Sequence, residues 1–399
     1  MTTATTLSAS TDPAARRPPL GGWLAVLSVM AGIFAIVTTE ILPIGLLTPI
    51  GADFGVSDGT AGLMMTTPGI LAAVAAPVVS LTTARIDRRL MLCSLVLLLA
   101  VADFLAAAAP VYWLVLVSRV LVGVTIGGFW SIAAGLAERL VRAESVGRAT
   151  AVIFAAVPLG SVLGVPVGTF IGDHAGWRTA FVVMGAMSVA VFAALLFVVP
   201  PLPPVRAVRP AALRSLLHHG AVRRTLLITF LTVLAHFGAY TYVTPFLEDV
   251  TDVGQGAVTG LLLVYGAAGI AGNFLGGTLV TSRPRAAFGA ATAMVAGATL
   301  LLPVLGGSPA GAVALLVVWG IGYGAVPVSA QVWFARAAPH APEAAAVLFT
   351  ASFQATFSLG ALAGGAVVDQ ATPSVVMALG GTVAALATGV IVTATRRVV

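Results

Sequence analysis

Long apolar segments separated by short polar connections run along the chain from about residue 21 to residue 394. A helix needs about 20 mainly apolar residues to cross the roughly 30 Å hydrocarbon core of a bilayer. Twelve segments meet this requirement, which predicts an all-α membrane protein. The expected spans lie near 21–47, 59–82, 91–109, 111–137, 148–171, 177–200, 223–247, 255–280, 285–306, 310–335, 343–367 and 372–394.

A polar, proline-rich connection at 201–222 divides the twelve segments into two groups of six. We therefore predict a disordered cytoplasmic tail at 1–20, a six-helix bundle at 21–200, a cytoplasmic linker at 201–222 and a second six-helix bundle at 223–395. A span of this length that lacks a small-residue cleavage site is not typical of a signal peptide, so the first segment is expected to stay as a span.

The two groups of spans share a pattern of glycines and charges. Three sets recur at a nearly constant offset of about 197 residues. The matched pairs are Gly62 with Gly260, Arg85 with Arg283, Gly123 with Gly320, Gly127 with Gly324, Arg139 with Arg336, Gly164 with Gly360, Gly168 with Gly364, and Asp173 with Asp369. This repetition predicts two pseudo-symmetric six-helix bundles, an arrangement in which a solute binds between two rocking halves.

Composition and charge placement support the membrane assignment. Hydrophobic residues make up 59% of the chain and charged residues 9%, whereas soluble domains carry roughly 25% charged residues. All of the 20 basic residues are arginines, and all except Arg119 and Arg178 fall in one set of alternate connections. Because positive loops stay in the cytoplasm, we expect a multi-pass protein of the bacterial cytoplasmic membrane with both termini cytoplasmic. The membrane thus explains the net charge of +6 better than a nucleic-acid partner does.

Three ionisable residues lie inside predicted spans: Glu40, Asp103 and Arg119. Such groups are costly in a membrane and are candidates for a functional site. Their distances from the outer ends of their spans place all three at a similar depth. A carboxylate near an arginine can respond to protonation, so we expect these residues to couple protons, with Glu40 as the responsive group. A static ion pair that fixes helix packing is the alternative, and it is favoured for Asp103.

The predicted seventh span is rich in polar and aromatic side chains, including His236, Tyr240 and Tyr242. His236 and Tyr240 share a helix face, because they are four residues apart. Other intramembrane candidates for binding the solute are Phe34, Trp130, Asn273, Tyr323, Gln331, Trp333 and Gln354. Aromatic rings with a few polar atoms suit amphipathic organic molecules, although packing and interhelical hydrogen bonding are alternative roles. No metal site, cofactor or catalytic nucleophile is indicated.

In the predicted fifth span, Gly160, Gly164, Pro166 and Gly168 form a small-residue stripe with a kink. Small residues let helices approach closely, and a proline inside a helix bends it. We expect this stripe to serve helix packing and bending.

Several motifs resemble a known family. The run Thr39-Glu40-Ile-Leu-Pro43-Ile-Gly45 is similar to a first-span signature, Arg85-Ile-Asp87-Arg88-Arg89 to a gating loop between spans 2 and 3, and Arg119 with Gly123 to a span 4 motif. By these motifs the chain resembles the major facilitator superfamily, in particular its twelve-span drug:proton antiporter branch. Bacterial sugar efflux, chloramphenicol-resistance and purine-nucleoside efflux transporters are similar in these segments.

The resemblance implies the major facilitator fold, with Glu40, Arg119 and His236 facing or supporting a central cavity. It also implies a cytoplasmic latch formed by the gating loop, which comprises Arg85, Asp87, Arg88 and Arg89. The expected function is proton-coupled efflux, by alternating access, of a sugar-like or drug-like solute. The expected partners are that solute, protons and membrane lipid, with the chain as a monomer. A uniporter or importer of a metabolite such as a sugar or nucleoside is the alternative, and a membrane-embedded sensor is a more distant one.

Overall fold

The structure is a computed structural model, which describes residues 19–82, 85–133, 136–203, 210–339 and 341–394. All the long elements in these ranges are α-helices. The predicted tail up to residue 18, part of the linker (204–209) and the C-terminal arginines Arg396 and Arg397 lie outside the described residues.

The first half of the chain, which we call the N half, contains nine α-helices in its described residues, together with one turn of 3-10 helix at Ala143–Ser145. They are α1 (Pro19–Gly45), α2 (Leu47–Phe54), α3 (Asp58–Ala61), α4 (Leu63–Thr82), α5 (Arg88–Ala108), α6 (Tyr112–Ala133), α7 (Leu136–Leu140), α8 (Val146–Ala175) and α9 (Trp177–Val198). A short helix, α10 (Pro210–His218), follows in the linker.

The second half of the chain, the C half, repeats this order with fewer short helices. It consists of α11 (Gly220–Tyr240), α12 (Val243–Asp249), α13 (Gln255–Ser282), α14 (Pro284–Leu305), α15 (Pro309–Ala337), α16 (Pro342–Val368) and α17 (Pro373–Ala394). Each of the twelve predicted spans corresponds to a described helix that is long and apolar enough to cross a membrane, so the predicted fold class is confirmed.

The first span of each half ends earlier than the apolar pattern predicts. The first span stops at Gly45, near its predicted end at 47, and continues as the separate helix α2. The seventh stops at Tyr240, not at 247, and continues as α12. Prolines explain both breaks, because Pro43 and Pro245 lack the amide hydrogen that an unbroken helix needs. The prediction of a single span at 223–247 was therefore wrong at its outer end.

Helix contacts repeat between the halves. In the N half α1 packs on α8, α4 on α6 and α5 on α9, and in the C half α11 packs on α16, α13 on α15 and α14 on α17. The halves meet where α4 contacts α16 and α8 contacts α13, and these two contacts are also related by the repeat. The molecule is thus a pair of pseudo-symmetric bundles with a two-fold related interface.

Two ends of the bundles are distinguished below. The linker end carries the start of α5, the end of α9 and the linker, and the opposite end, which carries α2, α3 and α12, is called the distal end. From the arginine pattern of the sequence, we expect the linker end to face the cytoplasm.

Candidate functional site

Arg119 of α6 lies fully buried in the centre of the N half, with 0% of its surface exposed. Its Nε donates to the carbonyl oxygen of Met64, Nη1 to that of Thr39 and Nη2 to that of Glu40, each over 3.0 Å. One guanidinium therefore joins α1, α4 and α6. Proline at position 43 frees the carbonyl of Thr39 from its usual helical partner, which leaves an acceptor for the arginine.

The structure places no direct ion pair between Arg119 and a carboxylate. A direct arginine–carboxylate pair is found instead at the distal end, where Arg178 contacts Asp53. Arg119 acts on Glu40 through its backbone, so a static ion pair between these two side chains is not what the structure holds.

Asp103 of α5 is also buried, with 1% exposed. Its Oδ2 accepts a hydrogen bond from Thr39 Oγ1 at 3.3 Å and another from Ser188 Oγ at 3.5 Å. Both of these hydrogen-bond donors belong to other helices, Thr39 to α1 and Ser188 to α9. The carboxyl group therefore lies in a polar cluster inside the N half.

Glu40 lies where the two halves meet. Its side chain is 7% exposed and stands beside Gln354 of α16, which is 5% exposed. Tyr323 of α15 is also within electrostatic range of the Glu40 carboxylate. An acid of the N half thus contacts a buried amide of the C half and lies within electrostatic range of a phenol group there. Of the three intramembrane ionisable residues, Glu40 is the one in contact with Gln354.

Tyr323 begins a stack of four rings in the C half. Its ring lies 3.2 Å from that of His236, centroid to centroid, with 6° between the planes. His236 stacks on Tyr240 at 5.1 Å, and Tyr240 stacks on Tyr265 at 4.6 Å. Trp319 stands edge-on to the last three rings. This group, called the ring stack below, starts beside Glu40 and runs into the C half.

The Trp319 Nε1 hydrogen fixes the orientation of the histidine, since it is donated to His236 Nδ1 over 3.1 Å. An indole N–H only donates, so Nδ1 accepts and the imidazole carries its hydrogen on Nε2. Trp319 and Tyr265 were not among the predicted site residues. The spacing of Trp319 to Tyr323, four residues on one helix, was a signal that could have found the former.

The other predicted binding residues lie apart from this group. Tyr242 is buried at the distal end, where its hydroxyl donates to the carbonyl of Ala361 at 2.8 Å. Phe34 and Trp130 pack in the core of the N half, and Trp130 lies 5.9 Å from the ring of Phe154. The structure brings none of these three into contact with the ring stack.

Three further predicted residues lie in the C half. Asn273 is partly buried in α13, Gln331 is exposed on α15, and Trp333 packs edge-on against Phe288 with centroids 5.7 Å apart. Of the sequence candidates, the structure therefore gathers Glu40, Gln354, Tyr323, His236 and Tyr240.

The predicted gating loop packs against the linker end of the N half. Asp87 caps α5 by accepting from the Arg89 backbone N–H at 2.8 Å. Arg89 donates from Nη2 to the carbonyl of Leu196, and the Arg88 backbone N–H donates to that of Leu202 at 2.9 Å. Arg85 is exposed. These contacts tie the loop to the chain that leaves α9.

The glycine stripe of α8 faces α1. A methyl group at Gly160 would meet Val37 at 3.0 Å, and one at Gly164 would meet the Cα of Thr38 at 3.2 Å. At Gly168 it would collide with Leu42. Pro166 lies within the continuous helix α8. The stripe thus lets α8 approach the helix that carries Glu40.

Hydrogen bonds join the halves at the distal end. Asp369 of α16 accepts from Ser57 Oγ and from the Gly59 backbone N–H, both over 2.9 Å. Thr244 of α12 donates to the carbonyl of Ile44, at the break after α1, over 2.9 Å. The distal end is therefore closed.

Comparison with known proteins agrees with this architecture. The model of the Major Facilitator Superfamily matches residues 22–351. The chain belongs to the major facilitator superfamily. As a member of this superfamily it is a membrane-embedded transporter of a small molecule and not an enzyme, and its twelve spans make it a multi-pass membrane protein.

Curated relatives cover nearly the whole of this superfamily member. It is 35% identical over 357 residues to a Pseudomonas aeruginosa protein named transcription regulatory protein OpdE, covering 88% of each chain. It is 30% identical over 372 residues to the purine ribonucleoside efflux pump NepI of Escherichia coli K12, covering 93% of this chain and 94% of that one.

Solved structures share the fold at low identity. A bacterial homologue of the human lysosomal transporter Spinster, in an inward-facing and occupied conformation, gives a TM-score of 0.74 at 17% identity and covers 95% of this chain and 97% of that one. The human organic anion transporter MFSD10 gives 0.68 at 16% identity, with coverage of 94% and 100%.

Proposed function

We propose that this transporter exports a small organic solute in exchange for protons. The observation that carries the proposal is the position of Glu40, a buried carboxyl group of the N half that lies beside Gln354 and within electrostatic range of Tyr323, both of the C half. A proton that binds there changes the charge at the interface that alternating access must open and close.

The charge of Glu40 at the interface between the halves determines which conformational state is preferred. An ionised carboxylate is costly in a dry, buried setting, and water or a bound partner lowers that cost. Protonation of Glu40 therefore favours the state in which the halves are packed around it. Ionisation favours a state in which the site is hydrated or holds a solute. A ligand shifts such an equilibrium by its differential affinity for the two states.

Arg119 gives Glu40 a fixed position in the N half. Because the guanidinium holds the backbone of Thr39 and Glu40, the carboxylate moves with α1, α4 and α6 as one body. Gln354 and Tyr323 belong to the other body. Rocking of the halves thus changes the surroundings of the carboxylate without disturbing its support.

The ring stack supports the assignment of the solute class. Flat aromatic faces bind ring-shaped organic molecules, and a few polar atoms orient them. Sugar-like and drug-like solutes both fit this description. Nucleosides join a planar base to a sugar, and a relative bears the name of a purine ribonucleoside efflux pump, so nucleosides are the first solutes to test.

Everted membrane vesicles test both direction and coupling. Radiolabelled inosine, guanosine, a sugar panel and chloramphenicol are offered to vesicles with an acid interior. Antiport predicts that one of them accumulates inside and that an ionophore that collapses the pH gradient abolishes the accumulation. Vesicles without the protein are the control. A uniporter would bring the solute only to equal concentrations inside and outside the vesicles. A proton-coupled importer would expel the solute from preloaded vesicles. Either result would contradict the proposal.

A further inference from the structure

A cavity of about 810 Å³ lies at the linker end of the C half, away from Glu40. Its wall is formed by the starts of α11 and α14 and the ends of α13, α15 and α17. The wall residues used below are Arg283, Arg285, Gly289, Trp333, Arg336 and Ile391. Among the residues that the structure describes, no wall residue belongs to the ring stack or carries a carboxylate.

The wall has a charged level and an apolar level. Arg285 stands at the first turn of α14 and Arg336 at the last turn of α15. One turn deeper, about 5.4 Å nearer the membrane centre, lie Gly289 on α14 and Trp333 on α15. The cavity therefore presents guanidinium groups at the membrane surface and apolar surface directly below them.

The apolar level continues beyond the cavity and outward. A neighbouring cavity of about 190 Å³ shares Arg285, Trp333 and Ile391 and extends along α11 to Ile228. On α17, Val392 of the cavity wall is 54% exposed on the outside of the bundle. The basic mouth thus adjoins surface that faces lipid.

In the N half, residues of the linker occupy the place that is equivalent to this cavity. In the N half, Leu202 of the linker covers the start of α5, accepting from the Arg88 backbone N–H at 2.9 Å, and Arg139 donates to the carbonyl of Pro203 at 2.6 Å. Leu202 is only 3% exposed. At the matching place in the C half, Arg336 takes the position of Arg139 and lines the cavity.

The charges of the two places differ as well. The repeat pairs Asp87, which caps α5, with Arg285, and it pairs the buried Arg88 with Ala286. At the mouth of the cavity, the base Arg285 stands where the N half has the acid Asp87. Beside it, the small side chain of Ala286 stands where the N half has the large side chain of Arg88. Among the described residues, the two halves therefore differ in side-chain charge and in side-chain size at this place.

We propose that this cavity binds the headgroup of an anionic phospholipid. The phosphate contacts Arg283, Arg285 and Arg336, and an acyl chain lies along Gly289, Trp333 and Ile391. Basic pockets between helices at the cytoplasmic surface are suited to anionic headgroups, which the inner leaflet supplies. A soluble anion would use the arginines but would leave the apolar level without a partner.

Lipid binding by the purified full-length chain tests the proposal. Native mass spectrometry counts bound dioleoyl-phosphatidylglycerol and dioleoyl-phosphatidylcholine, and thermal unfolding is followed with each lipid. The wild type is expected to retain phosphatidylglycerol selectively. Arg283→Gln together with Arg285→Gln should weaken that binding about tenfold or more, because each arginine near the surface contributes to attraction. Gly289→Leu should also displace the lipid, since it fills the apolar level and keeps the charges.

The matched control is Arg142→Gln together with Arg148→Gln, two exposed arginines at the same end of the N half. These changes remove the same charge without touching the cavity and should leave phosphatidylglycerol binding within about twofold. An equal loss in the control pair would show general attraction to the leaflet and overturn the proposal. Equal binding of phosphatidylcholine, unchanged binding by Gly289→Leu, or equal stabilisation by inorganic phosphate alone would overturn it too.

Discussion

Arg119 holds Glu40 by its backbone, with Nη2 3.0 Å from the Glu40 carbonyl oxygen, and leaves the carboxylate to the interface between the halves. The arginine of the span 4 motif is therefore a support for α1 and α4. The acid it supports lies beside Gln354, so the two residues have separate tasks. In the proposed mechanism, support of the backbone and proton exchange therefore do not compete for the same hydrogen bonds.

Replacing Arg119 with lysine is expected to destabilise the fold even though the charge is kept. A lysine has one donor centre, whereas the guanidinium satisfies three carbonyl oxygens on two other helices. Each buried acceptor left without a partner costs about 1–3 kcal/mol. A thermal unfolding curve of Arg119→Lys should show a clearly lower midpoint than the wild type.

Arg178→Gln is the control for that experiment, because its ion pair with Asp53 is partly exposed, at 42% for each side chain. Exposed pairs contribute about 0–1 kcal/mol, so the midpoint should move little. A larger effect of Arg178→Gln than of Arg119→Lys would contradict the supporting role of Arg119.

Gly59→Ala should weaken the closure of the distal end. A Cβ at Gly59 would collide with the Asp369 carboxylate and with the Gly365 carbonyl oxygen. The carbonyl oxygen belongs to the backbone and cannot rotate away. The substitution favours states in which this end is open. In a Cys93→Ser background, which removes the single cysteine, a cysteine placed at Met65, a buried residue of α4 that packs with apolar residues of the C half, reports access from the distal end by maleimide labelling.

Faster labelling is expected with Gly59→Ala than without it. Gly254→Ala is the control, because a Cβ there meets nothing within 4 Å. Equal labelling rates in the Gly59 and Gly254 variants would mean that the contact of Asp369 with α3 does not hold this end closed.

Loss of the ring at Tyr323 should lower solute affinity more than loss of its hydroxyl. Tyr323→Phe keeps the flat contact with His236, and Tyr323→Leu removes it. Aromatic pairs contribute about 0.5–1.5 kcal/mol beyond area, which corresponds to a loss of up to about tenfold in affinity. Competition binding with the transported solute measures the difference, and identical affinities for the two variants would exclude the ring stack from the site.

Glu248, outside the spans at the distal end, predicts a pH dependence of stability. Burial, and then the nearby carboxylates of Asp249 and Asp58, raise the pKa of Glu248 above its ordinary value of 4.5. A raised folded-state pKa means that its stabilising contribution is complete below the unfolded value and is lost as pH rises through the folded value. The unfolding midpoint should thus fall as pH rises above 4.5 through the raised pKa of Glu248, and Glu248→Gln should reduce that fall. An unchanged pH profile in the variant would contradict this assignment.

The sequence predicted the spans well because a bilayer demands about 20 apolar residues in a helix with its backbone hydrogen bonds satisfied internally. It did not predict the break between Tyr240 and Val243. The chain carries no charged residue between His236 and Glu248, so the uncharged segment continues although the helix does not. Pro245 was the available signal, since it marks the place where a helix loses a hydrogen bond.

Glu40 and Arg119 could be recognised as candidates because ionisable residues are rare in spans. The hydrogen bonds from Arg119 to the backbone of α1 could not be predicted, because a hydropathy pattern carries no information about backbone carbonyl groups. The partners of Asp103 come from positions 64 and 85 residues away in sequence. Tyr265 needed the packing of α13 on α15 before it could be placed beside Tyr240.

The role of Glu40 is tested most directly by comparing driven accumulation with exchange in the same vesicles. With an acid interior, wild-type vesicles should accumulate the solute found in the panel, and Glu40→Gln vesicles should only reach equal concentrations. Exchange of labelled for unlabelled solute without a pH gradient should persist in Glu40→Gln, as should driven accumulation in the control Glu138→Gln, whose side chain is exposed at the linker end. Accumulation by Glu40→Gln to the wild-type level would contradict the assignment of Glu40 as the proton-coupling residue.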